Sequence, residues 1–194
     1  MSRLSEKVAI VTGASKGIGA GIATALGAAG ARVAVNYSAD REGAERVAQA
    51  ITDNGGKAIA VGADVSKAIT RFGTDGGSII NLSSIVGSHP VGGALLYAST
   101  KGAIETLTKG LALELAPRKI RVNAIAPGHT ETEGNVAAGT FEGGAGTVLA
   151  EKTPLGRLGR VADIAPLAVF LASDESGWIT GEVIRAAGGL VVAT

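Results

Sequence analysis

The sequence predicts an α/β protein with a doubly wound parallel sheet, on the basis of three observations. Short apolar runs alternate with helical patterns along most of the 194 residues, which is typical of parallel strands joined by helices. Glycine is abundant, with 30 residues, and aromatic residues make up only 3%, which fits a domain with many tight turns better than a β-sandwich. Polar or glycine-rich segments follow the apolar runs, where ligands bind in open α/β sheets. We therefore expect one domain over residues 1–194.

The composition argues against several classes of partner and site. The chain has 18 basic and 17 acidic residues and no Lys/Arg-rich block, so nucleic acid and acidic membrane surfaces are poor candidate partners. It has no cysteine, which excludes disulfides and thiolate metal sites. His89 and His129 lack the spacing of a helical metal pair, so no metal site is expected. Because the first residues include no long apolar segment, we expect a cytoplasmic protein without a signal peptide or membrane span.

The first predicted strand, residues 8–11, leads into a candidate phosphate-binding loop. Gly13, Gly17 and Gly19 let the backbone turn sharply and approach a pyrophosphate at the N-terminus of the helix predicted over residues 19–29. Their spacing alone is weak support in a glycine-rich chain. Their position between a strand and a helix is stronger support, and we predict a dinucleotide-binding loop here.

The end of the second predicted strand, residues 32–35, favours NADP(H). NAD-selective sites usually have an acidic residue at this position, whereas a 2′-phosphate requires neutral and basic groups. At this strand end Asn36, Tyr37 and Ser38 are neutral, and Lys16 and Arg41 could supply positive charge. Two alternatives stay open. Asp40 would favour NAD(H) if the strand is longer, and Arg41 is equally well explained as the solvated first residue of a helix over 41–54.

The alternation of strands and helices breaks down after the third predicted strand, residues 57–62. Asp64 follows this strand, where an adenine could stack, although a helix-capping role explains an Asp here comparably well. Only residues 65–78 separate this region from the next predicted strand, 79–82. A crossover between parallel strands takes a dozen or more residues, usually a helix, so the connection is unusually short.

The strand 79–82 and the helix after it contain the strongest candidate catalytic groups. The strand is followed by Ser83 and Ser84, and Tyr97 and Lys101 lie four residues apart at the start of a helix predicted to end near residue 115. This spacing places both side chains on one face, so that the Lys101 ammonium and the helix N-terminus favour the phenolate form of Tyr97. Such a phenol can transfer a proton between a carbonyl and an alcohol. The Tyr-x-x-x-Lys pattern alone is a weak match, and Ser84 upstream strengthens it.

The alternating pattern then resumes with a strand over 120–125, a helix over 161–172 and a strand at 183–184. The residues after strand 120–125 lie at its carboxyl edge, where we expect ligand contacts: Pro127, Gly128, Thr130 and Thr132. Residues 133–153 are glycine-rich, and we expect them to be irregular and long enough to form a lid.

Together, these motifs resemble those of the short-chain dehydrogenase/reductase family. The matching motifs occur in the family's order and spacing: Thr12-Gly13-x-x-x-Gly17-x-Gly19, Asp64, Asn81-Leu82-Ser83-Ser84, Tyr97-x-x-x-Lys101, Asn123 through Pro127-Gly128, and Gly188-Gly189. The resemblance covers nearly the whole chain. It implies a Rossmann-like three-layer α/β/α fold and an NAD(P)-linked oxidoreductase of the carbonyl or 3-oxoacyl reductase type.

The resemblance also implies roles for single residues. Tyr97 would be the acid/base, Lys101 would support it and bind the nicotinamide ribose, and Ser84 would polarise the carbonyl of a small-molecule substrate. Residues expected to bind the cofactor, from matching or from their place in the sheet, are Gly13, Ser15, Lys16, Gly17, Ile18, Gly19, Tyr37, Ser38, Arg41, Asp64, Val65, Tyr97, Lys101, Pro127, Gly128, Thr130 and Thr132. The basic residue Lys16 agrees with NADP(H), with NAD(H) as the alternative. The family also implies a homo-oligomer, either a dimer or a tetramer.

One departure from the family pattern is serious. About one strand and two helices, including a helix with a catalytic Asn, are missing after Lys67. Either the sequence omits a segment that the protein contains, or the chain has a true deletion near residues 67–68. In the second case it could be a catalytically inactive nucleotide-binding or scaffold protein. We favour the first explanation, because the active-site residues elsewhere are intact.

Overall fold

The structure, a computed structural model, describes residues 3–63 and 72–190. Within these ranges every strand pair is parallel, and helices lie on the sheets. This arrangement confirms the predicted doubly wound three-layer α/β/α fold. Asp64 and Val65 lie outside the described residues, as does most of the short connection that follows them. No helix in the described part is long and apolar enough to cross a membrane.

The strands are short, and most agree with the predicted positions. They are β1 Val8–Val11, β2 Arg32–Tyr37, β3 Lys57–Gly62, β4 Gly77–Leu82, β5 Ile120–Pro127, β6 Thr130–Glu131, β7 Gly159–Arg160 and β8 Val183–Ala186. β1 and β3 have the predicted bounds, whereas β2, β4, β5 and β8 are each two residues longer. Pairing with the neighbouring strand continues past the apolar run in these four strands. The short strands β6 and β7 were not predicted.

The α-helices of the described chain also follow the sequence pattern, with one exception. They are α1 Gly17–Ala28, α2 Arg41–Asp53, α3 Leu95–Leu115, α4 Glu133–Ala137, α5 Ala145–Lys152 and α6 Val161–Ala172. The expectation that residues 133–153 are irregular was wrong, because this segment contains α4 and α5. Thr132 starts α4, since its side chain accepts a hydrogen bond from the Asn135 N–H at 3.2 Å.

The six longer strands form two separate three-stranded sheets. In the first sheet β2 lies between β1 and β3, and in the second sheet β5 lies between β4 and β8. Within the described ranges, β1 and β4 pair with no strand on their other edges. The fold therefore consists of two half-sheets, each with an unpaired edge at β1 or β4.

Helices α1, α2 and α6 join the half-sheets through one hydrophobic core. Besides Leu4, which precedes β1, its large members come from both sheets and from these helices, and they include Ile22, Leu26, Val33, Val35, Ile51, Ile125, Ile164 and Leu171. α1 and α6 approach closely, because a Cβ atom at Gly21 would meet Cγ1 of Val161. The carboxyl ends of β1, β2 and β5 are therefore held together by one shared core.

Arg121 of β5 holds the C-terminal end of α6. Its guanidinium donates hydrogen bonds to the carbonyl oxygens of Leu171 and Ser173 at 2.8 and 3.1 Å, and more weakly to that of Ile179 at 3.4 Å. Burial lowers the pKa of Arg121. The last carbonyls of α6 are thereby satisfied by a cation, which is favourable at a helix C-terminus.

One face of the first sheet is largely open to solvent in the described structure. Ile10, Ala34 and Ile59 lie side by side across β1, β2 and β3. Val8, Ile10 and Ile59 are 66%, 52% and 64% exposed. Because alternate residues of a strand point to the same face, Val8 and Ile10 belong to one apolar surface beside the unpaired edge of β1.

Candidate active site

The loop between β1 and α1 has the backbone geometry that the glycine pattern predicts. Gly13 and Gly17 both have φ of +60°, a conformation that favours glycine. A Cβ atom at Gly19 would meet the carbonyl oxygen of Gly13, so the loop leaves no room for a side chain there. The Ala14 N–H donates to the Asn36 carbonyl at 3.3 Å and joins the loop to the end of β2.

The first turn of α1 suits an anionic group. Lys16 precedes the helix without forming a side-chain cap, and the described first turn contains no acidic residue. Its N–H groups are therefore available to a phosphate. Thr132 lies beside this loop, since a Cβ atom at Gly17 would be 3.8 Å from the Thr132 Cβ. A cavity of about 670 Å³ runs between α1 and α4 and is lined by both residues.

Strand β2 runs two residues beyond its predicted end, which brings the strand end closer to Asp40 in the chain. The strand ends at Tyr37, and the Asp40 carboxylate accepts the Gly43 N–H at 2.9 Å as the cap of α2. Asp40 therefore caps the start of α2, three residues after the end of β2. The Tyr37 ring lies against β3, because a Cβ atom at Gly62 would be 3.0 Å from the Tyr37 Cζ.

The basic groups near this strand end are exposed. Arg41 pairs with Glu45 at 2.7 Å, and this hydrogen bond raises the pKa of Arg41. Lys16 and Ser38 are also exposed, whereas Ser15 in the loop and Ile18 in the first turn of α1 are half-buried. The groups near the end of β2 thus include the cations Lys16 and Arg41 as well as the Asp40 and Glu45 carboxylates.

Lys101 links the end of β4 to the start of α3. Its Nζ donates to the Leu82 carbonyl at 2.9 Å and lies 5.5 Å from the centre of the Tyr97 ring. Burial lowers the pKa of Lys101. Tyr97 is 51% exposed, so its ring is accessible. Ser84 has an extended backbone and precedes a 3₁₀ turn that packs on α3.

The residues after β5 have two kinds of environment. Pro127 is buried, and Gly128 lies against the chain after β8, because its Cβ would be 2.9 Å from the Ala187 Cα. Thr130 is buried, and its hydroxyl donates to the Gly128 carbonyl at 3.0 Å. Thr132 lies at the cavity as well as capping α4. Thr130 therefore stabilises the turn, and Thr132 is the better placed of the two threonines to contact a ligand.

Two buried polar residues near these groups had no functional prediction from the sequence. Asn123 bridges β5 and the segment before β8: its side chain donates to the Ile179 carbonyl at 2.9 Å and accepts the Glu182 N–H at 3.1 Å. Glu105 lies on α3 and accepts a hydrogen bond from the Ser83 hydroxyl at 2.9 Å. The spacing of Glu105, four residues after Lys101, is the signal that could have placed it on the same helix face.

Two family models match the chain. The model described as short chain dehydrogenase matches residues 7–71, and the model described as enoyl-(acyl carrier protein) reductase matches residues 65–191. The chain is 42% identical to an uncharacterized oxidoreductase of Methylorubrum extorquens, over 98% of this chain and 100% of that protein. It is 33% identical to a versicolorin reductase of Emericella nidulans, over 96% of each chain.

Solved structures of reductases and dehydrogenases share this fold. The reductase LugOII, described as catalysing a keto-reduction, superposes with a TM-score of 0.90 at 30% identity, over 98% of this chain and 100% of that one. A gluconate 5-dehydrogenase from Burkholderia cenocepacia, solved with NADP and tartrate, superposes with a TM-score of 0.87 at 27% identity, over 99% of this chain and 98% of that one. The alignment with the Methylorubrum protein extends over 247 residues, so that relative has residues without a counterpart among the 194 of this chain. The chain belongs to the short-chain dehydrogenase family of oxidoreductases.

Proposed function

We propose that this protein interconverts a carbonyl compound and a secondary alcohol with NADP(H), and that Tyr97 transfers the proton. The position of Lys101 is the observation that carries this proposal. Its Nζ lies 2.9 Å from the Leu82 carbonyl and 5.5 Å from the centre of the Tyr97 ring. A single cation therefore joins the strand end that precedes Ser84 to the helix that contains Tyr97.

The three side chains have complementary tasks in the reduction. The Tyr97 hydroxyl gives its proton to the carbonyl oxygen, and the Ser84 hydroxyl donates a hydrogen bond to the same oxygen. The Lys101 ammonium stabilises the phenolate that remains after the proton has left. A bound nicotinamide supplies the hydride in this direction and accepts it in the reverse one.

The glycine loop fits a dinucleotide. Gly19 packs on the Gly13 carbonyl with no side chain between them, so that a pyrophosphate could approach the loop backbone closely. The first turn of α1 has no side-chain cap and would present its N–H groups to the pyrophosphate. Gly17 and Thr132 are neighbours that both line the adjacent cavity. Ser15, Ile18, Pro127 and Gly128 would complete the cofactor contacts.

The preference for NADP(H) rests on charge at the end of β2. A 2′-phosphate there would meet Tyr37 and Ser38 and could be paired by Lys16 and Arg41, while Asp40 is used by the cap of α2. The ion pair with Glu45 competes for Arg41, but both groups are exposed, and such pairs are weak. NAD(H) is the alternative cofactor. The gluconate 5-dehydrogenase that shares this fold was solved with NADP.

We also propose that the substrate is a mid-sized, moderately apolar small molecule. We further propose that the protein is cytoplasmic and forms a homo-oligomer, either a dimer or a tetramer. Keto-reduction by LugOII and the name of the versicolorin reductase support a carbonyl substrate. Leu107 and Leu113 on α3 are 55% and 80% exposed, and a subunit contact over this helix would remove apolar surface from water.

Tyr97→Phe tests the proposed reaction. We expect wild-type protein to oxidise NADPH with a ketone, and the variant to lose about 100-fold or more in kcat, the usual size of general acid catalysis. NADPH affinity, measured by fluorescence titration, serves as the internal control and should stay within experimental error. Undiminished turnover in the variant would exclude Tyr97 as the proton donor.

A second candidate function is a nucleotide-binding or scaffold protein without catalytic activity. The split sheet favours it: β1 ends at the glycine loop, and Val8 and Ile10 on this strand are 66% and 52% exposed. We propose that the residues found only in the longer relatives belong between β3 and β4, where they would cover this strand. A nicotinamide site without that wall could bind a cofactor and yet fail to hold a substrate.

The intact mass and a binding assay separate the two candidates. A purified protein several kDa heavier than 19.1 kDa would contain a segment that this sequence omits, and would support the reductase. A protein of 19.1 kDa that binds NADPH and reduces none of a panel of ketones would support the inactive candidate.

A further inference from the structure

A buried carboxylate lies beneath the turn that contains Ser84. Glu105, on α3, is only 9% exposed. Its Oε1 accepts a hydrogen bond from the Ser83 hydroxyl at 2.9 Å, and Ser83 is itself buried. The Ser83 N–H donates to the Ile125 carbonyl at 2.8 Å. Ser83 is therefore held by β5 through its backbone and by α3 through its side chain.

The same helix carries the two groups that the proposed reaction needs beside Ser84. Glu105 follows Tyr97 by two helical turns and Lys101 by one, so the three side chains share a helix face. The Ser83 hydroxyl also lies 3.2 Å from the Lys101 carbonyl oxygen. Ser83, the residue directly before Ser84, thus contacts α3 at both Lys101 and Glu105.

The other end of the turn also packs on Glu105. A Cβ atom at Gly87 would lie 2.7 Å from the Glu105 Oε1 and 3.0 Å from the Lys101 carbonyl carbon. The Gly87 N–H closes the turn onto the Ser84 carbonyl at 2.9 Å. The carboxylate therefore touches the turn on both sides of Ser84, and only glycine leaves room for this contact.

We propose that Glu105 is a positioning residue, which fixes the Ser84 turn against α3 and so sets the position of Ser84 relative to Tyr97. This inference rests on the proposed reductase function. A carboxylate is costly to bury, and an apolar side chain would fill the same space more cheaply. An apolar side chain, however, would not provide the oxygen that accepts the hydrogen bond from the Ser83 hydroxyl.

The test compares substitutions on the two faces of α3. Glu105→Gln keeps an acceptor oxygen, whereas Glu105→Leu removes it, and Ser83→Ala removes the donor. Glu114 is exposed on the same helix, so Glu114→Gln and Glu114→Leu are matched controls. Each variant is measured for kcat and KM with a ketone, for NADPH affinity, and for hydrogen exchange of the Gly87 and His89 amides that close the turn.

We expect Glu105→Leu and Ser83→Ala to lower kcat on the order of 10- to 100-fold, because displacement of a reacting group by an ångström has effects of this size. NADPH affinity should not change, and the double variant should lose no more than either single one. Glu105→Gln should restore most of the turnover. Exchange of the Gly87 and His89 amides should accelerate in Glu105→Leu and Ser83→Ala but not in Glu105→Gln or the Glu114 variants.

Unchanged kcat in Glu105→Leu, or losses that multiply in the double variant, would overturn the proposal. If Glu105→Leu does not fold, Ser83→Ala and Glu105→Gln decide the question by the same criteria. If the wild-type protein shows no turnover, the proposed reaction fails, and amide exchange then tests Glu105 alone. Equal exchange in Ser83→Ala and wild type would refute a role for this hydrogen bond in holding the turn.

Discussion

Gly19→Ala tests the close packing of the cofactor loop. Gly19 is the third residue of α1, and a Cβ atom there would meet the Gly13 carbonyl oxygen, with the Gly13 carbonyl carbon only 3.0 Å away. These neighbours are backbone atoms, which cannot rotate away as a flexible side chain can. The added methyl group must therefore move either the loop or the start of the helix.

The magnitude follows from two opposing effects. Alanine is better than glycine in a helix by about 1 kcal/mol, and this gain favours the variant. Overpacking of a filled site costs about 1–3 kcal/mol. Gly110→Ala in α3 provides the matched control, because a Cβ atom there meets nothing within 4 Å and the variant should only gain from helix propensity. The free energy of unfolding should therefore be lower in Gly19→Ala than in Gly110→Ala by about 1–3 kcal/mol.

Urea denaturation at pH 7 measures this difference, and the slope m should be equal in both variants if only stability changes. A shifted loop should also weaken NADPH binding about tenfold, which corresponds to about 1.4 kcal/mol. Equal stability and equal NADPH affinity in the two variants would refute the packing argument.

Three further substitutions test the site and its supports. Arg41→Ala should weaken NADPH binding about tenfold and leave NADH binding unchanged, as measured by fluorescence titration, and an equal loss for both would contradict the 2′-phosphate contact. The hydrogen bond from Arg157 holds the pKa of Asp163 well below its usual range, so the stability that Asp163 provides is present above about pH 4 and is lost as the pH falls through its folded-state pKa. Asp163→Ala should therefore cost about 1 kcal/mol at pH 7. Most of this loss comes from the missing acceptor for the Arg160 N–H at the start of α6, because the exposed ion pair with Arg157 contributes little. A difference in urea midpoint between the variant and the wild type that did not narrow on acidification would contradict this. Arg121→Met should lower the free energy of unfolding by about 1–2 kcal/mol, because the carbonyl oxygens of Leu171 and Ser173 lose a charged donor but keep the hydroxyl donors of neighbouring serines. An unchanged urea midpoint would refute the role of Arg121.

Much of the fold could be predicted because buried parallel strands are continuous apolar runs. The strand ends were less visible: Asn36 and Tyr37 belong to β2 although neither is aliphatic. Asn36 fits there because its side chain donates to the carbonyls of Val61 and Ala63 at 3.1 and 3.0 Å, a tertiary interaction that a local pattern does not reveal. The helix α5 was not predicted, because it lies in a glycine-rich segment. It begins directly after Gly144, which adopts the left-handed conformation at its N-terminus.

The candidate site was predictable where spacing within one element determines geometry. Tyr97 and Lys101 are one helical turn apart, and their proximity follows from that alone. Thr130 and Thr132 look equivalent in the sequence, but pairing of β6 with β7 buries only the first. Glu105 resembles an ordinary solvated helix residue, since nothing local indicates that Ser83 packs above it.

The unpaired edge of β1 has a consequence for the behaviour of the protein in solution. On one edge of β1 the backbone N–H and C=O groups have no partner strand among the described residues, and the exposed Val8 and Ile10 lie on the same strand. Natural proteins protect sheet edges with charges, prolines or bulges, and none of these occurs within Val8–Val11. Such an edge is a template for intermolecular strand pairing. A protein of 19.1 kDa, without a segment that covers β1, should therefore aggregate as its concentration rises even while it remains folded.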